Sequence, residues 1–317
     1  MTAAVLCTVA VMWQRSFELN CIKPIQITVV SGKGGTGKTT VVGSFATLLS
    51  NKVIADCDVD AANLHLLLKP EVKEQKDFFG AKIAVRDEEK CIHCGAAELR
   101  CRFDAITDEK IDPLACEGCG LCVLVCPTNA LRLESIKCGE LYISDTSYGP
   151  MVHAKLNPGG ESSGRLVTIV RQQAENVALS EGREFIIIDG PPGIGCTATA
   201  SLTDIDLALV VTEPTLSGIH DMQRVLQLIK HFGYKSTVII NKFDLNLENS
   251  ENIRNLCKQY SVPIVGEIPF DDIVTNAIAA AVPLVEFSTG PAASAVIKAW
   301  ENVMNLLDQT DRAAQDN

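Results

Sequence analysis

A glycine-rich stretch between an apolar strand and a helical segment limits the folds that this chain can adopt. The sequence reads IQITVVSGKGGTGKTTVVGSFATLLS from residue 25, and the apolar positions Val41, Phe45 and Leu48 are spaced as on one face of a helix. Gly32 to Thr39 satisfies the pattern G-x4-G-K-[ST], which in this context is typical of a phosphate-binding loop. The sequence therefore predicts a strand, a phosphate-binding loop and a helix, in that order.

Each part of this loop has a physical use in binding a phosphate chain. Glycines let backbone N–H groups close around phosphate oxygens, and the helix N-terminus adds a positive field. Lys38 is predicted to reach the β and γ phosphates, and Thr39 to offer its hydroxyl to Mg2+. We expect the nucleotide to be held by Gly32, Gly34, Gly35, Thr36, Gly37, Lys38, Thr39 and Thr40.

Four further apolar runs predict strands that join this unit in one sheet. They are KVIAD, EFIIIDG, LALVVTEP and STVIINKFD, which begin at residues 52, 184, 207 and 236. Continuous apolar strands that alternate with helical stretches indicate a parallel sheet with helices on both faces. We therefore expect an α/β fold with a doubly wound, mostly parallel sheet.

The net charge and the first residues of the chain bear on whether the protein binds nucleic acid or a membrane. The net charge of −11 argues against a broad footprint on nucleic acid or on a membrane, although a local basic patch stays open. The start, MTAAVLCTVAVMW, is too short to span a bilayer. Residues 1–23 are expected to be a poorly ordered extension or a misassigned start, with a signal peptide or anchor as the alternative.

The cysteines are concentrated in one segment. Seven of the 13 lie between Cys91 and Cys126, a density that indicates metal ligation in a reducing compartment and hence a cytoplasmic protein. The run CEGCGLCVLVCP has the full bacterial ferredoxin spacing C-x2-C-x2-C-x3-C-P, with a structural zinc site as the alternative. Its four cysteines are Cys116, Cys119, Cys122 and Cys126.

The cysteine-rich segment predicts a small domain inserted into a larger one. Within residues 82–138, CRFDAIT echoes CPTNALRL, which suggests two half-units, each with a cysteine loop, a short helix and a strand. We expect an α+β, bacterial-ferredoxin-like insert at 82–138 between two parts of the nucleotide-binding domain, 24–81 and 139–310, with a tail at 311–317. Residues 139–184, which include GPMVHAKL, are expected to return through a loop that leads into a helix.

A second lysine, Lys33, lies inside the phosphate loop, where a simple phosphate cradle needs none. With KGGTGKT the sequence resembles the deviant Walker A ATPases, the MinD and ParA class that also includes the Mrp-type cluster carriers and the nitrogenase iron protein. With the cysteine segment added, it resembles the MinD-superfamily P-loop ATPases that carry an inserted two-cluster 4Fe-4S ferredoxin domain. The resemblance implies that Lys33 crosses to the nucleotide of a partner subunit in an ATP-dependent homodimer, whereas the plain alternative is a solvated loop charge.

The same resemblance assigns roles to residues at the strand ends. It implies that Asp58 orients the attacking water, that Asp56 lies near Thr39 and Mg2+, and that Asp189 is the Walker B carboxylate. Gly193, in GPPGIG, is implied to belong to a mobile γ-phosphate switch. The resemblance also implies that Asn241 contacts the nucleotide base and that Pro269, in EIPFDD, belongs to a second base-side loop, with a plain strand-to-helix turn as the alternative for that loop.

The sequence leaves two possibilities for the base of the bound nucleotide, adenine and guanine. NKFD, residues 241–244, also matches the N-K-x-D arrangement by which GTPases read guanine, although the loop type favours ATP.

The ferredoxin resemblance also implies how the cysteines are shared. The fourth cysteine of each run crosses to the other cluster, so Cys116, Cys119 and Cys122 are completed by Cys101 in one complete 4Fe-4S cluster. The second, ligand-deficient cluster has Cys91, Cys94 and Cys126, with Ala97 where the pattern puts a cysteine. Three outcomes stay open there: a three-iron cluster, a four-iron cluster with water or Glu98 on the exposed iron, or an empty site.

Cys196 follows Asp189 at the offset of a cluster-ligating cysteine in the nitrogenase iron protein. A buried structural thiol is the favoured interpretation for it and for Cys57, Cys138 and Cys257.

These features together predict an ATP-hydrolysing iron–sulfur protein. Nucleotide-driven dimer closure would gate electron transfer or cluster-dependent chemistry with a redox or cluster-client protein, for which a paralogous ATPase is one candidate. The alternatives are a cluster-assembly scaffold and a redox-sensing positioning or regulatory ATPase. Neither nucleic acid nor a membrane is an expected partner.

Overall fold

The computed structural model describes residues 23–107, 110–157 and 164–315, with side chains described up to residue 309. The predicted extension at 1–23 lies outside this range apart from Lys23. The described strands are β1 (Ile25–Ser31), β2 (Lys52–Asp56), β3 (Glu71–Arg86), β4 (Ile106–Thr107), β5 (Lys110–Ile111), β6 (Leu131–Thr146), β7 (Gly149–Leu156), β8 (Phe185–Pro192), β9 (Leu207–Thr212), β10 (Ser236–Asn241) and β11 (Ile264–Ile268).

Helices connect these strands in the order expected of an α/β protein. They are α1 (Lys38–Leu48), α2 (Leu64–Leu68), α3 (Ala96–Arg100), α4 (Leu121–Val125), α5 (Gly164–Glu181), α6 (Cys196–Ser201), α7 (Leu216–Phe232), α8 (Leu247–Tyr260), α9 (Ile273–Ala279), α10 (Leu284–Phe287) and α11 (Pro291–Gln315), with a 3-10 turn at Phe243–Leu245. The tail predicted at 311–317 begins inside α11, whose backbone continues to Gln315. No helix in the described part of the chain is long and apolar enough to cross a membrane.

The main sheet has nine strands in the order β11-β10-β9-β1-β8-β2-β7-β6-β3. The strands from β11 to β7 are parallel, whereas β6 and β3 run antiparallel to their neighbours. The α/β fold class and the mostly parallel sheet are thereby confirmed. Because parallel strands all end at one edge, the carboxyl ends of β1, β2 and β8 bring their terminal residues together.

Both faces of the parallel part of the sheet are covered by helices, as a doubly wound fold requires. On one face α1 and α11 pack together, and the rings of Phe45 and Trp300 lie 4.7 Å apart. On the other face α5 contributes Leu166 and Val170, while α7 contributes Met222. The buried strand residues between these layers form the core.

One strand was predicted as a loop. GPMVHAKL is β7, which lies between β2 and β6 with Met151, Val152 and Ala154 buried. A proline and a histidine interrupt its apolar pattern, so the local sequence did not indicate the burial that sheet pairing provides. The interpretation of 139–184 as a loop leading into a helix was therefore wrong for 149–156.

The cysteine segment is carried by a long hairpin of the same sheet. Strands β3 and β6 have 16 residues each and pair from Glu71↔Asp145 to Arg86↔Leu131. The predicted boundaries at 82 and 138 fall inside these continuous strands. The end of the hairpin carries α3, the small β4-β5 sheet and α4, so this segment is covalently and sterically continuous with the sheet.

Candidate functional site

The phosphate loop lies between β1 and α1, where two of its glycines have left-handed backbone conformations. Gly35 has φ +80° and Gly37 has φ +93°, which side chains with a Cβ rarely adopt. A Cβ on Gly37 would also lie 2.3 Å from Asn241 Nδ2. Asn241, at the end of β10, donates from Nδ2 to the carbonyl oxygen of Thr36 at 2.8 Å. The phosphate loop is therefore hydrogen-bonded to the end of β10, the strand that carries the predicted base contact.

A cavity of about 490 Å3 opens over this loop. Its lining includes the loop from Gly34 to Thr40, together with Asp58, Asn63, Leu66, Leu67 and Ile278. The Thr36 hydroxyl is buried without a hydrogen-bond partner, so a polar group of the cavity is left unsatisfied. Gly193, Asn241 and Pro269 lie outside the described lining of this cavity.

Three carboxylates surround the loop lysine at the carboxyl ends of β2 and β8. Lys38 Nζ lies 2.7 Å from Asp189 Oδ1 and 3.4 Å from Asp58 Oδ2, and the Thr39 hydroxyl donates to Asp189 Oδ2 at 3.0 Å. Asp56 pairs with Asp189 across the two strands, and its buried Oδ2 has no hydrogen-bond partner. Buried polar atoms are normally hydrogen-bonded, so this unpaired oxygen is available to a ligand.

The pKa values in this cluster follow from its burial. Burial raises the pKa of Asp56 well above its usual value, and the negative charge of Asp189 adds to the shift. Burial likewise raises the pKa of Asp58. For Lys38, burial lowers the pKa, but the charges of Asp189 and Asp58 outweigh it and the net shift is upward. The burial of Asp56 and Asp58 beside another carboxylate makes their ionised forms costly, and a bound cation would offset that cost.

These donors fit a magnesium nucleotide. Thr39, Asp56 and Asp189 are oxygen donors of the kind that Mg2+ prefers, and Lys38 and the loop N–H groups suit phosphate oxygens. The unsatisfied oxygens of Thr36 and Asp56 are the observation that carries this fit.

Lys33 is paired within its own chain. Its Nζ lies 2.7 Å from Glu213 Oε1 and 3.1 Å from the hydroxyls of Thr215 and Ser217. Burial raises the pKa of Glu213, but hydrogen bonds from Lys33 and Lys242 outweigh it and hold the pKa below its usual value. The sequence analysis missed Glu213, whose only signal is its position directly after the strand LALVVT.

The base-side and switch residues are linked to the site through backbone contacts. Gly193 has φ +87°, and its N–H donates to the carbonyl oxygen of Ser31 at 2.8 Å. Asp244 Oδ1 accepts the N–H of Phe270 at 2.7 Å, which joins NKFD to the turn that follows Pro269. One carboxylate oxygen of the aspartate in the guanine-type motif thus already accepts a hydrogen bond from the protein backbone.

Two cavities divide the seven clustered cysteines at the end of the β3-β6 hairpin. One cavity is lined by Cys101, Cys116, Cys119 and Cys122, and we call it the four-cysteine cavity. The other is lined by Cys91, Cys94 and Cys126 together with Ala97 and Glu98, and we call it the three-cysteine cavity.

Backbone N–H groups point at a sulfur atom of each cavity. Ala84 N–H donates to Cys116 Sγ at 3.4 Å, and Ala130 N–H donates to Cys126 Sγ at 3.2 Å. Contacts of this type stabilise thiolate ligands. All described cysteines are free, and within the described ranges no group of three or more His, Cys, Asp or Glu side chains is arranged to hold a metal ion.

The remaining cysteines differ from one another in exposure. Cys57, Cys138 and Cys257 are buried, as expected of structural thiols. Cys196 is exposed at the start of α6, so its interpretation as a buried thiol was wrong. The two residues before it, Ile194 and Gly195, are exposed as well.

A ring stack beside the carboxylate cluster was also missed. His153 on β7 stacks on Tyr142 at 5.0 Å and on His65 at 6.2 Å, and Ser144 Oγ lies 3.1 Å from His153 Nε2. His153 is also the strand partner of Asp56. Its sequence signal is weak, since a single histidine in an apolar run is common in cores.

The fold and the loop geometry define a nucleotide-binding P-loop protein of the MinD/ParA type. The chain belongs to the CobQ/CobB/MinD/ParA nucleotide-binding domain family, whose family model matches residues 27–284. It is 34% identical over 259 residues to the uncharacterized protein MJ0578 of Methanocaldococcus jannaschii, covering 80% of this chain and 88% of that protein.

Septum site-determining proteins are among the other similar chains. The MinD protein of Neisseria meningitidis is 24% identical over 284 residues, covering 85% of this chain and 87% of its own. The solved structure of MinD from Pyrococcus horikoshii, complexed with Mg-ADP, has a TM-score of 0.57 at 22% identity and covers 90% of this chain and 97% of its own. The likeness to that structure shows the fold.

Proposed function

We propose that this chain binds and hydrolyses ATP, and that nucleotide-driven dimer closure gates electron transfer or cluster-dependent chemistry with a partner protein. The observation that carries the proposal is the continuity of one sheet. The hairpin with both cysteine cavities pairs through β7 with β2, the strand that ends in Asp56. A change at the nucleotide therefore has a rigid route to the cysteine segment.

The nucleotide half of the proposal rests on the loop and its carboxylates. Lys38 would hold the phosphates of its own nucleotide, Thr39, Asp56 and Asp189 would hold Mg2+, and Asp58 would orient the attacking water. The likeness in fold to the MinD structure complexed with Mg-ADP supports this arrangement. Gly193, Asn241 and Pro269 are proposed as switch and base-side contacts, and ATP is the proposed nucleotide.

Lys33 is proposed to change partner on dimer closure. It would leave Glu213 and reach the phosphates of the nucleotide in the second subunit. The exchange keeps Lys33 in an ion pair, because a carboxylate partner is replaced by a phosphate partner of the same sign.

The cysteine half of the proposal rests on donor chemistry. The seven thiols lie around two cavities in groups of four and three, with N–H groups directed at sulfur, which fits two iron–sulfur clusters in an inserted ferredoxin-like domain. Such clusters supply one-electron storage when bound. Unoxidised cysteines need a reducing compartment, so a cytoplasmic location belongs to the same proposal.

A row of paired residues connects the two halves. Asp189 pairs with Asp56, Asp56 with His153, and His153 with Tyr142, so the row crosses β8, β2, β7 and β6. A shift of Asp56 toward a bound cation would press on His153, and through it on the hairpin strand β6. Such a packed row is the physical element that coupling between two sites needs.

A second candidate function is a redox-sensing positioning or regulatory switch. The likeness in fold to septum site-determining MinD and to McdA of Cyanothece in complex with ATP favours it. In that case the clusters would sense the redox state, and the nucleotide cycle would respond to it. A cluster-assembly scaffold is the third candidate, and it would release iron and sulfide to a client.

The proposal is tested on protein purified without oxygen. Iron and zinc are measured by elemental analysis, sulfide is measured as acid-labile sulfide, and the mass in solution is measured by sedimentation with and without Mg-ATP. We expect iron and sulfide in the protein and an ATP-dependent dimer, with Lys38→Ala still holding iron but remaining a monomer. Zinc in place of iron, or the same mass with and without ATP, would contradict the proposal.

A further inference from the structure

The two halves of the cysteine segment have the same local structure. Helices α3 and α4 both have five residues, both follow a left-handed glycine, Gly95 at φ +70° and Gly120 at φ +76°, and both end at an extended cysteine. The cysteines that end them are Cys101 and Cys126, each of which donates its N–H to the carbonyl oxygen three residues back. The two helices can therefore be compared position by position.

This equivalence places Ala97 at the position of Cys122. Each is the second residue after its left-handed glycine and the fourth before its terminal cysteine. Cys122 lines the four-cysteine cavity, and Ala97 lines the three-cysteine cavity. A methyl group has no donor atom, so this corner of the cavity lacks the ligand that its counterpart has.

Glu98 is the next residue of α3, and it lines the same cavity. Its counterpart in α4 is Val123, which has no donor group. Carboxylate oxygen is an established ligand for iron in proteins, and ligands other than cysteine complete some iron–sulfur sites. The first turn of α3 thus offers an oxygen donor one residue beyond the missing thiol.

We propose that Glu98 supplies the fourth donor of the three-cysteine cavity, which makes this cavity an oxygen-ligated and exchange-prone iron site beside a fully thiolate-ligated one. This inference rests on the proposed function, since it requires iron in the hairpin. Glu98 is exposed and so can move away from the metal. The three-cysteine cavity is then the place where iron, or a ligand with an oxygen donor, exchanges with solvent.

His93 is the competing donor, because it lines the same cavity from the loop between Cys91 and Cys94. Its backbone has φ +53°, and it lies before α3, the helix in which Ala97 stands at the position of the missing cysteine. Glu98 lies on that helix, directly after Ala97. The experiment separates the two residues with one variant for each.

The test measures iron release from anaerobically reconstituted protein to an excess of a ferrous chelator, together with EPR. We expect two kinetic phases in the unmodified protein, a fast one from the three-cysteine cavity and a slow one from the four-cysteine cavity. Glu98→Gln keeps the shape of the side chain but removes its charge, and it should accelerate only the fast phase, by about tenfold. Glu117→Gln is the matched control, because Glu117 is exposed and lines the other cavity.

A second variant tests the missing thiol. Ala97→Cys should merge the two phases into one slow phase, and in the double variant with Glu98→Gln the release should stay slow, since the new thiolate replaces the carboxylate. Equal fast phases in Glu98→Gln and the unmodified protein would overturn the inference, as would acceleration in His93→Gln alone. If the unmodified protein takes up no iron, the proposed function fails as well. Two iron phases with no effect of Glu98→Gln would remove only the role of Glu98.

Discussion

At the scale of single residues, the two lysines of the phosphate loop have different surroundings. Lys38 is buried against Asp189 and Asp58, whereas Lys33 is partly exposed and bound to Glu213. Lys38 also lines the cavity over the phosphate loop, where its positive charge suits phosphate oxygens. Lys33 keeps part of its side chain exposed, and a phosphate of the same sign as the Glu213 carboxylate can take the place of that partner.

Substitution of each lysine should therefore remove a different step. Lys38→Ala is expected to abolish nucleotide binding and with it ATP-dependent dimerisation. Lys33→Ala is expected to bind nucleotide almost normally but to hydrolyse it about a thousandfold more slowly, as when a charge supplied by a partner is lost. Nucleotide binding is measured by calorimetry and hydrolysis by phosphate release. Lys242→Ala, which removes the other lysine on Glu213, is the control and should hydrolyse ATP. Normal hydrolysis by dimeric Lys33→Ala would refute the role in the second subunit.

The contacts of Asp244 predict the base preference. Because one of its carboxylate oxygens already accepts the Phe270 N–H, we expect Asp244 to hold the turn rather than to read guanine. ATP should outcompete GTP in a competition assay, and Asp244→Asn, which keeps the accepting oxygen, should leave the preference unchanged. A selective GTP complex that is lost in Asp244→Asn would instead assign NKFD as a guanine motif.

His153 predicts a pH dependence of stability. Burial, with a smaller effect of His65, lowers the pKa of His153 to about 4, against an unfolded value of about 6.5. The unfolded chain therefore binds the proton more tightly, so the contribution is complete above the unfolded pKa and is lost as the pH falls toward the folded one. The loss amounts to roughly 3 kcal/mol.

This contribution is measured by denaturant unfolding between pH 4 and 7.5. His153→Phe, which keeps a ring between Tyr142 and His65, should flatten the curve relative to the unmodified protein. His220→Gln, at an exposed position, is the control and should follow the unmodified curve. Parallel curves for His153→Phe and the unmodified protein would show that His153 does not titrate in this way.

At the scale of elements, the cysteine segment depends on how its loops pack on the hairpin. Gly118 lies between Cys116 and Cys119 with φ +59°, and a Cβ there would lie 2.2 Å from the Lys82 carbonyl oxygen on β3. Gly95 is also left-handed, at φ +70°, but a Cβ there would meet nothing within 4 Å. A side chain at Gly95 would meet only backbone strain, whereas a side chain at Gly118 would meet both strain and steric overlap.

Alanine at the two positions should have unequal effects. Gly95→Ala is expected to cost about 1 to 2 kcal/mol from the left-handed backbone alone. Gly118→Ala adds overlap with the β3 backbone and should cost at least about 1 kcal/mol more. The free energy of unfolding from denaturant titration gives both values. Equal costs would mean that the loop does not pack against Lys82 as described.

The sequence indicated some elements well and others poorly, for reasons of burial. Strands β1, β2, β8, β9 and β10 are continuous apolar runs because helices cover both of their faces. Strands β3 and β6 were not indicated, because β3 is a charged edge strand whose residues 71–77 are exposed. Their pairing is set by the partner strand and not by an apolar pattern.

The site was predictable to a similar degree. The loop, Asp56, Asp58 and Asp189 follow from motifs that are local in sequence. The pairing of Lys33 with Glu213 and the stack of His65 on His153 join distant segments, so only the sheet order brings them together. Cys196 was predicted to be buried because no second ligand candidate lies near it in sequence, but Ile194, Gly195 and Cys196 are all exposed.

At the scale of the whole molecule, one nine-stranded sheet joins the nucleotide site to the cysteine hairpin. The row from Asp189 to Tyr142 crosses four strands without a gap, and both faces of the parallel part are packed. A close-packed sheet transmits displacement better than a flexible linker between two domains would. We therefore predict that the state of one site changes the behaviour of the other.

This coupling is tested by the rate of ATP hydrolysis with the proposed clusters first oxidised and then reduced. The protein is kept without oxygen, its iron content is checked in both states, and Lys38→Ala serves as the blank for contaminating hydrolysis. We predict rates that differ by about fivefold or more, the scale of ordinary coupling between two sites. Equal rates in both states, with full iron content in each, would contradict the account.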